Sequence, residues 1–202
     1  SGKGVAEIYD LAQEHNLRVI EDAAQAFGSY SNNQLVGSSG DISCFSFDGI
    51  KNITCGEGGA VVTRDAELAE KIRDMRLLGV QKDTLNRAQG KRSWDFDVTS
   101  QGYRYHMSNI NAAIGIAQFS RLDEFRAKRQ EIVALYLSNL AEVTQVSFFE
   151  LDYDQILPHI FAIKVKQRNQ LRDILEKHNI ETGIHYKPNH LLTKYYSTDE
   201  LC

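Results

Sequence analysis

The chain has 202 residues, a formal net charge of −4 and 42% hydrophobic residues. That length suits one domain of ordinary size or one and a fraction, and the apolar content is enough for a real core. The mild charge gives no basis for nucleic-acid binding, no apolar run is long enough to span a bilayer, and Cys44, Cys55 and Cys202 have neither metal-ligand nor disulfide spacing. The polar start Ser1-Gly2-Lys3-Gly4 has no signal-peptide pattern, so a cytoplasmic setting with free thiols is expected, with Cys44 as core.

Val5, Ile8, Tyr9 and Ala12 recur at helical spacing and predict a helix over 4–14, with Asn16 as its stop. Leu17 to Ile20 reads as a short buried strand. A helix running into an apolar strand is the pattern of an α/β fold with a parallel sheet. In such sheets ligands collect at the carboxyl ends of strands, where Asp22 falls. Asp22 is thus a candidate site carboxylate, or alternatively the cap of a following helix. Glu21 is expected to be an exposed carboxylate on the cap side.

Ser31-Asn32-Asn33-Gln34 reads as a hairpin turn and Gly37-Ser38-Ser39-Gly40 as a second turn. A strand is predicted over 41–47, with Lys51 in the turn beyond it. Gly56, Gly58 and Gly59 predict a tight turn with positive φ that returns the chain into a strand over 60–63. This run lacks the lysine-plus-hydroxyl ending of a P-loop, and no dinucleotide fingerprint fits.

Asp65 as N-cap, Leu68, Ile72 and Met75 as apolar face and Gly79 as stop predict a helix over 65–78. Residues 81–101 are polar and poorly periodic, a long loop in which Trp94 and Phe96 read as anchors. One very long helix is predicted over 108–140, with Ile110, Ala113, Ile114, Ala117, Leu122 and Phe125 turned inward and Lys128 and Arg129 on a solvated face. Further along, the pattern predicts strands over 146–149 and 159–165, a helix over 167–178 and a last strand over 180–184. The tail reads as the start of a small second domain, dividing the chain into 1–143 and 144–202. No internal repeat is visible.

The chemistry gathers at two positions. A lysine amine and an acid, each at the end of a predicted strand, are the two groups that a pyridoxal 5′-phosphate site needs most. The amine attaches the cofactor covalently, and the acid keeps the pyridine nitrogen protonated so that the ring takes up electrons. A solvated turn lysine and a capping aspartate would look the same, and spacing does not choose between them.

The stretches EDAAQAFGSY (21–30) and CFSFDGIKNITCGEGGAVVT (44–63), then GYRYHMSNINAAIGIAQFSRLDEFRAKR (102–129) and IETGIHYKP (180–188), come one after another in a fixed order. In that order they resemble the DegT/DnrJ/EryC1/StrS sugar aminotransferase family. The resemblance implies the PLP-dependent transferase type I fold, as a partial large-domain sheet with the start of a small C-terminal α+β domain. It implies transfer of an amino group, commonly from glutamate, to a nucleotide-linked keto sugar, for amino sugars of cell-surface polysaccharides or secondary metabolites.

The resemblance also implies roles for single residues. Lys51 is the covalent anchor and acid/base, and Asp22 partners the ring nitrogen. Ala24 is the small side chain that lets the flat ring lie close to the backbone, Gln25 bonds the phenolic oxygen, and Ser46 helps hold the phosphate. Arg104 stands where many relatives carry an asparagine that reaches the phosphate of the neighbouring subunit's cofactor, so a homodimer with shared sites is implied. His185 and Tyr186 are implied to line the sugar-nucleotide cleft. No metal is implied.

Asp48-Gly49-Ile50 depart from the His or Tyr and Pro-Thr common in the family, which bears on substrate contacts. The family's enzymes are nearly twice this length. A Gly-Thr phosphate loop and an aromatic residue stacked on the ring are therefore expected outside this chain. A PLP-dependent sugar dehydratase of the same fold is the nearest rival, and Lys51 argues against it because those relatives carry histidine there. A piece that serves only as a folding or dimerisation module is the rival of a different class.

Overall fold

The computed structural model describes residues 4–81, 89–90 and 96–195. Trp94 and Cys202 lie outside the described residues. The chain forms two compact units, Ser1–Glu142 with Glu150–Phe161, and Val143–Phe149 with Ala162–Cys202.

The first unit opens on helix α1, Val5–Glu14. Asn16 ends it in the left-handed conformation, φ 52°, and Leu17 N–H reaches back to the Ala12 carbonyl at 2.7 Å. That geometry closes the helix by satisfying its last carbonyls. It also displaces the strand predicted over 17–20. Leu17 N–H belongs to the helix end and Val19 N–H donates to the Asp41 carboxylate at 3.2 Å, so the strand ladder begins only at Ile20. Strand β1 is Ile20–Asp22.

Strands β2, Tyr30–Ser31, and β3, Gln34–Leu35, form the expected hairpin. Asn32 and Asn33 supply its two positive φ angles, 50° and 61°, as a tight turn with the twist of the strands demands. Strands β4, Ile42–Ser46, and β5, Gly59–Thr63, complete a sheet in the order β1-β4-β5. β1 and β4 are parallel, whereas β4 and β5 are antiparallel. The sheet is therefore mixed, not purely parallel, because no helix intervenes between β4 and β5 to carry the chain back. β1 is an edge strand, and Leu17 and Ile20 are exposed, contrary to the expected buried strand.

Glu21 is not an exposed carboxylate. Its oxygens accept from Tyr9 Oη and Ser43 Oγ, both at 2.8 Å, and Tyr9 Oη in turn accepts from Asp41 N–H at 2.9 Å. This group ties α1 to both parallel strands. Burial pushes the Tyr9 phenol above its ordinary value.

Helix α2, Ala66–Met75, is capped by Asp65, whose carboxylate accepts from Leu68 N–H at 3.0 Å. It ends three residues short of the predicted helix end at residue 78, with Leu78 and Gly79 both at positive φ. The single long helix expected over 108–140 is two helices, α3, Asn109–Phe119, and α4, Leu122–Leu140. Ser120 Oγ bonds back to the Ala117 carbonyl at 2.9 Å, and Arg121 leaves the helical conformation, φ −107°. A serine that bonds to the preceding turn bends helices. Arg121 then forks onto Glu124 at 2.9 and 2.8 Å in the first turn of α4.

Of the expected inward residues only Leu122 and Phe125 are half-buried, while Ile110, Ala113, Ile114 and Ala117 are exposed. Arg129 is no solvated-face residue either, since it donates to the carbonyls of Pro158 at 2.9 Å and His159 at 3.3 Å. The core beneath α4 holds Leu157 and Val133, with Phe27 edge-on to Phe45 and Phe47.

The second unit holds the antiparallel pair β6, Val146–Phe148, and β7, Ile163–Val165. Helix α5, Arg168–Lys177, comes next and ends through Asn179 at φ 58°, the device used at Asn16. Residues 180–184 do not form the expected strand. Among the described residues, no helix is long and apolar enough to cross a membrane.

Candidate functional site

The parallel register of β1 and β4 places Asp22 opposite Cys44. Paired residues point to one side of a sheet, and side chains two apart share a face. Asp22, Cys44 and Ser46 therefore stand on one face, with Ser46 one step further toward the carboxyl end. Both strands run out at this edge, and Ala23 N–H still bonds to the Cys44 carbonyl at 2.9 Å as β1 ends.

β1 leads into a turn, not a helix, so the capping alternative for Asp22 takes another form. Asp22 Oδ1 accepts from Ala24 N–H at 3.1 Å, which orients the carboxylate within its own turn. Asp22 and Gln25 are exposed, and Ala24 is half-buried. β4 leads into a second turn, in which Asp48 N–H approaches Ser46 Oγ at 3.4 Å and Lys51 N–H bonds to the Asp48 carbonyl at 3.0 Å. Lys51 is half-buried. The carboxylate and the hydroxyl thus end the two strands, and the methyl group, the amide and the amine come from the turns that follow them at the same edge of the sheet.

The segment after Lys51 is anchored closely. Asn52, Ile53 and Cys55 are buried. Asn52 Nδ2 donates to the Phe27 carbonyl at 3.0 Å and to the Leu157 carbonyl at 3.2 Å. Thr54 Oγ1 accepts from Gly56 N–H at 2.8 Å. On the other side Asn111 of α3 donates to the Cys55 carbonyl at 2.6 Å. Only Gly56 of the glycine run takes a positive φ, 79°. Gly58 and Gly59 serve close approach instead, because a Cβ there would stand 2.6 Å from Met107 Cε and 2.7 Å from the Phe45 carbonyl oxygen. Burial raises the Cys55 thiol above its ordinary value, which keeps it protonated and unreactive.

Arg104 lies on an isolated bridge with Leu77 and is exposed. His185 and Tyr186 belong to the second unit, are exposed, and pack edge to face at 4.8 Å. The anchoring roles of Asn52 and Asn111 do not emerge from the sequence pattern. The one signal for Asn52 is a polar residue set between Ile50 and Ile53, in a segment that otherwise reads as a simple turn.

Known proteins resemble this chain over more than nine-tenths of its length. It is 34% identical over 196 residues to the spore coat polysaccharide biosynthesis protein SpsC of Bacillus subtilis, covering 93% of this chain and 50% of that protein. Helicobacter pylori PseC, an aminotransferase involved in the biosynthesis of pseudoaminic acid, superimposes with a TM-score of 0.84 at 30% identity, covering 95% of this chain and 52% of PseC. The PLP form of Spr1654, a putative sugar aminotransferase from Streptococcus pneumoniae, gives a TM-score of 0.78 at 27% identity, covering 92% of this chain and 48% of that one. The chain spans about half the length of the curated relatives it matches. Its fold is mixed α/β and forms part of the PLP-dependent transferase type I fold. The sequence signature of the DegT/DnrJ/EryC1/StrS aminotransferase family matches residues 2–201, and the chain belongs to that family.

Proposed function

We propose that this chain carries the lysine half of a pyridoxal phosphate site, in an aminotransferase that moves an amino group from glutamate to a nucleotide-linked keto sugar. The observation that carries the reading is the shared edge of β1 and β4, where the Asp22 turn and the Lys51 turn emerge side by side. Family membership and the named functions of PseC and SpsC support a sugar pathway.

The donor set fits the cofactor. An exposed carboxylate suits a protonated ring nitrogen, a methyl group leaves room for a flat ring, a hydroxyl suits a phosphate, and a half-buried amine suits covalent attachment. When bound, pyridoxal 5′-phosphate supplies an electron sink that stabilises negative charge on the carbon next to the amino nitrogen. Asp22, oriented by Ala24 N–H, holds the proton on the ring nitrogen. Gln25 and Ser46 orient the group at its phenolic oxygen and its phosphate. Lys51 gives its amine for attachment. With the cofactor bound, Lys51 Nζ would take up the proton lost from the donor's α-carbon.

Arg104 is assigned to the phosphate site of a second copy in a homodimer, and its exposure supports that outward role. His185 and Tyr186 are assigned to the sugar-nucleotide cleft. The domains are assigned as 1–143 for the cofactor and 144–202 for the start of the small domain.

The test is a half-reaction. The chain is incubated with pyridoxal phosphate and glutamate, and 2-oxoglutarate is measured against Lys51→Ala. Formation of 2-oxoglutarate that Lys51→Ala abolishes is the expected result. Equal formation by both proteins contradicts the reading.

A further inference from the structure

Asn52, the residue after Lys51, is 4% exposed. Its Nδ2 donates to two carbonyls, Phe27 at 3.0 Å and Leu157 at 3.2 Å. Both partners only accept, so the orientation of the amide is forced. Among the described residues its Oδ1 is buried with no hydrogen-bond partner. An unpaired buried acceptor costs about 1–3 kcal/mol.

The two donors join three segments. The first is the turn bearing Lys51. The second is the turn after Asp22, which carries Ala24, Gln25 and Phe27. The third is the stretch around Leu157, which is 1% exposed and whose own N–H donates to Ser29 Oγ at 3.0 Å. Ile53 and Cys55 are also buried, so the chain is pinned just beyond Lys51. On the Lys51 side the backbone N–H bonds to the Asp48 carbonyl.

We propose that Asn52 is the positioning residue that sets the Lys51 amine against the Asp22 turn. Its amide fixes the distance between the two turns, and the reach of Lys51 Nζ to a group held at Asp22 depends on it. The inference rests on the function proposed above and adds to it a residue that touches neither cofactor nor substrate.

The experiment uses the full chain as wild type, Asn52→Ala, Asn52→Ser and Ser29→Ala. Each is incubated with pyridoxal phosphate and reduced with borohydride, and the label is mapped by peptide mass. Hydrogen exchange of residues 48–56 and of α2 is monitored without cofactor. Ser29→Ala removes the neighbouring contact to Leu157 and leaves the Asn52 donors in place, so it controls for a merely structural loss.

The expected result is a wild-type label concentrated on Lys51, lowered about tenfold or more relative to the other lysines in Asn52→Ala, since small misplacements of a reacting group cost that much. Asn52→Ser, which keeps one donor, should fall between, and Ser29→Ala should keep the label on Lys51. Exchange should quicken over 48–56 and stay unchanged in α2. A wild-type label on Lys51 that Asn52→Ala retains in full overturns the positioning role and leaves the proposed function standing. A wild-type label on other lysines overturns both. If Asn52→Ala does not fold, Asn52→Ser decides: a Lys51 label equal to that of Ser29→Ala overturns the role, and a lower one supports it.

Discussion

Asp22 and Ser46 lie on one face of two adjacent parallel strands, Ser46 one side-chain step beyond the residue that pairs with Asp22. This relationship comes from the register alone. It brings a carboxylate and a hydroxyl to the edge from which the Lys51 turn departs. Ligands of α/β folds collect at such carboxyl edges because helices cover the faces and loops at the strand ends are free to carry function.

Asp22→Asn keeps the size of the side chain and removes its charge. It should lower the rate of glutamate-dependent 2-oxoglutarate formation by about a hundredfold or more, the scale of losing a group aimed at developing charge. Asp22→Glu should retain part of that rate. A rate for Asp22→Asn equal to the wild type would remove Asp22 from the site.

Arg104→Glu should weaken retention of pyridoxal phosphate without unfolding the chain, because Arg104 is exposed. Equilibrium dialysis at a protein concentration that supports dimers checks this. Unchanged affinity after charge reversal would sink the assignment.

Leu157 is the most fully buried large side chain among the described residues. Leu157→Ala should destabilise the chain by about 2–5 kcal/mol, the range for a leucine removed from a close-packed core. Gly28→Ala should also destabilise it, since Gly28 has φ +79° and an added Cβ would stand 3.1 Å from methyl groups of Leu122 and Leu157. Urea unfolding measures both.

The Asp41 carboxyl is held below its usual range by hydrogen bonds from Arg18, and the Asp65 carboxyl by Leu68 N–H first and by Arg18 after it. Lowered values in the folded state favour the ionised forms. Their stabilisation is complete above the ordinary carboxylate value of about 4 and is lost as pH falls through the lowered folded values. Thermal melts of wild type and Arg18→Met should therefore differ between pH 5 and 7 and converge in acid, at pH values below about 3. The difference should be small, since Arg18 is more than half exposed and salt screens it.

Much of this fold is legible locally. Asn16, the Asn32-Asn33 turn and the Asp65 cap act through a residue or two, and the sequence carries such signals whole. The start of β1 is not legible in this way, because Leu17 N–H and Val19 N–H bond to Ala12 and Asp41, partners set by helix closure and by a residue distant in sequence. The break at Ser120 and Arg121 is hidden for a different reason. The residues on both sides are good helix formers, and a single side-chain bond to the preceding turn interrupts them. Glu21 reads as exposed in sequence because its partners Tyr9 and Ser43 come from other elements. The residues of the candidate site are named through resemblance. Their shared face requires the register of β1 on β4, and Asn52 requires its two distant carbonyls.

The proposed function depends above all on Lys51 as the amine that takes up the cofactor. The direct test is titration of the chain with pyridoxal phosphate, reduction with borohydride and mapping of the labelled peptide. A single label on Lys51 that disappears in Lys51→Ala is the predicted result. A label on another lysine, or one spread evenly over the surface lysines, would contradict the account.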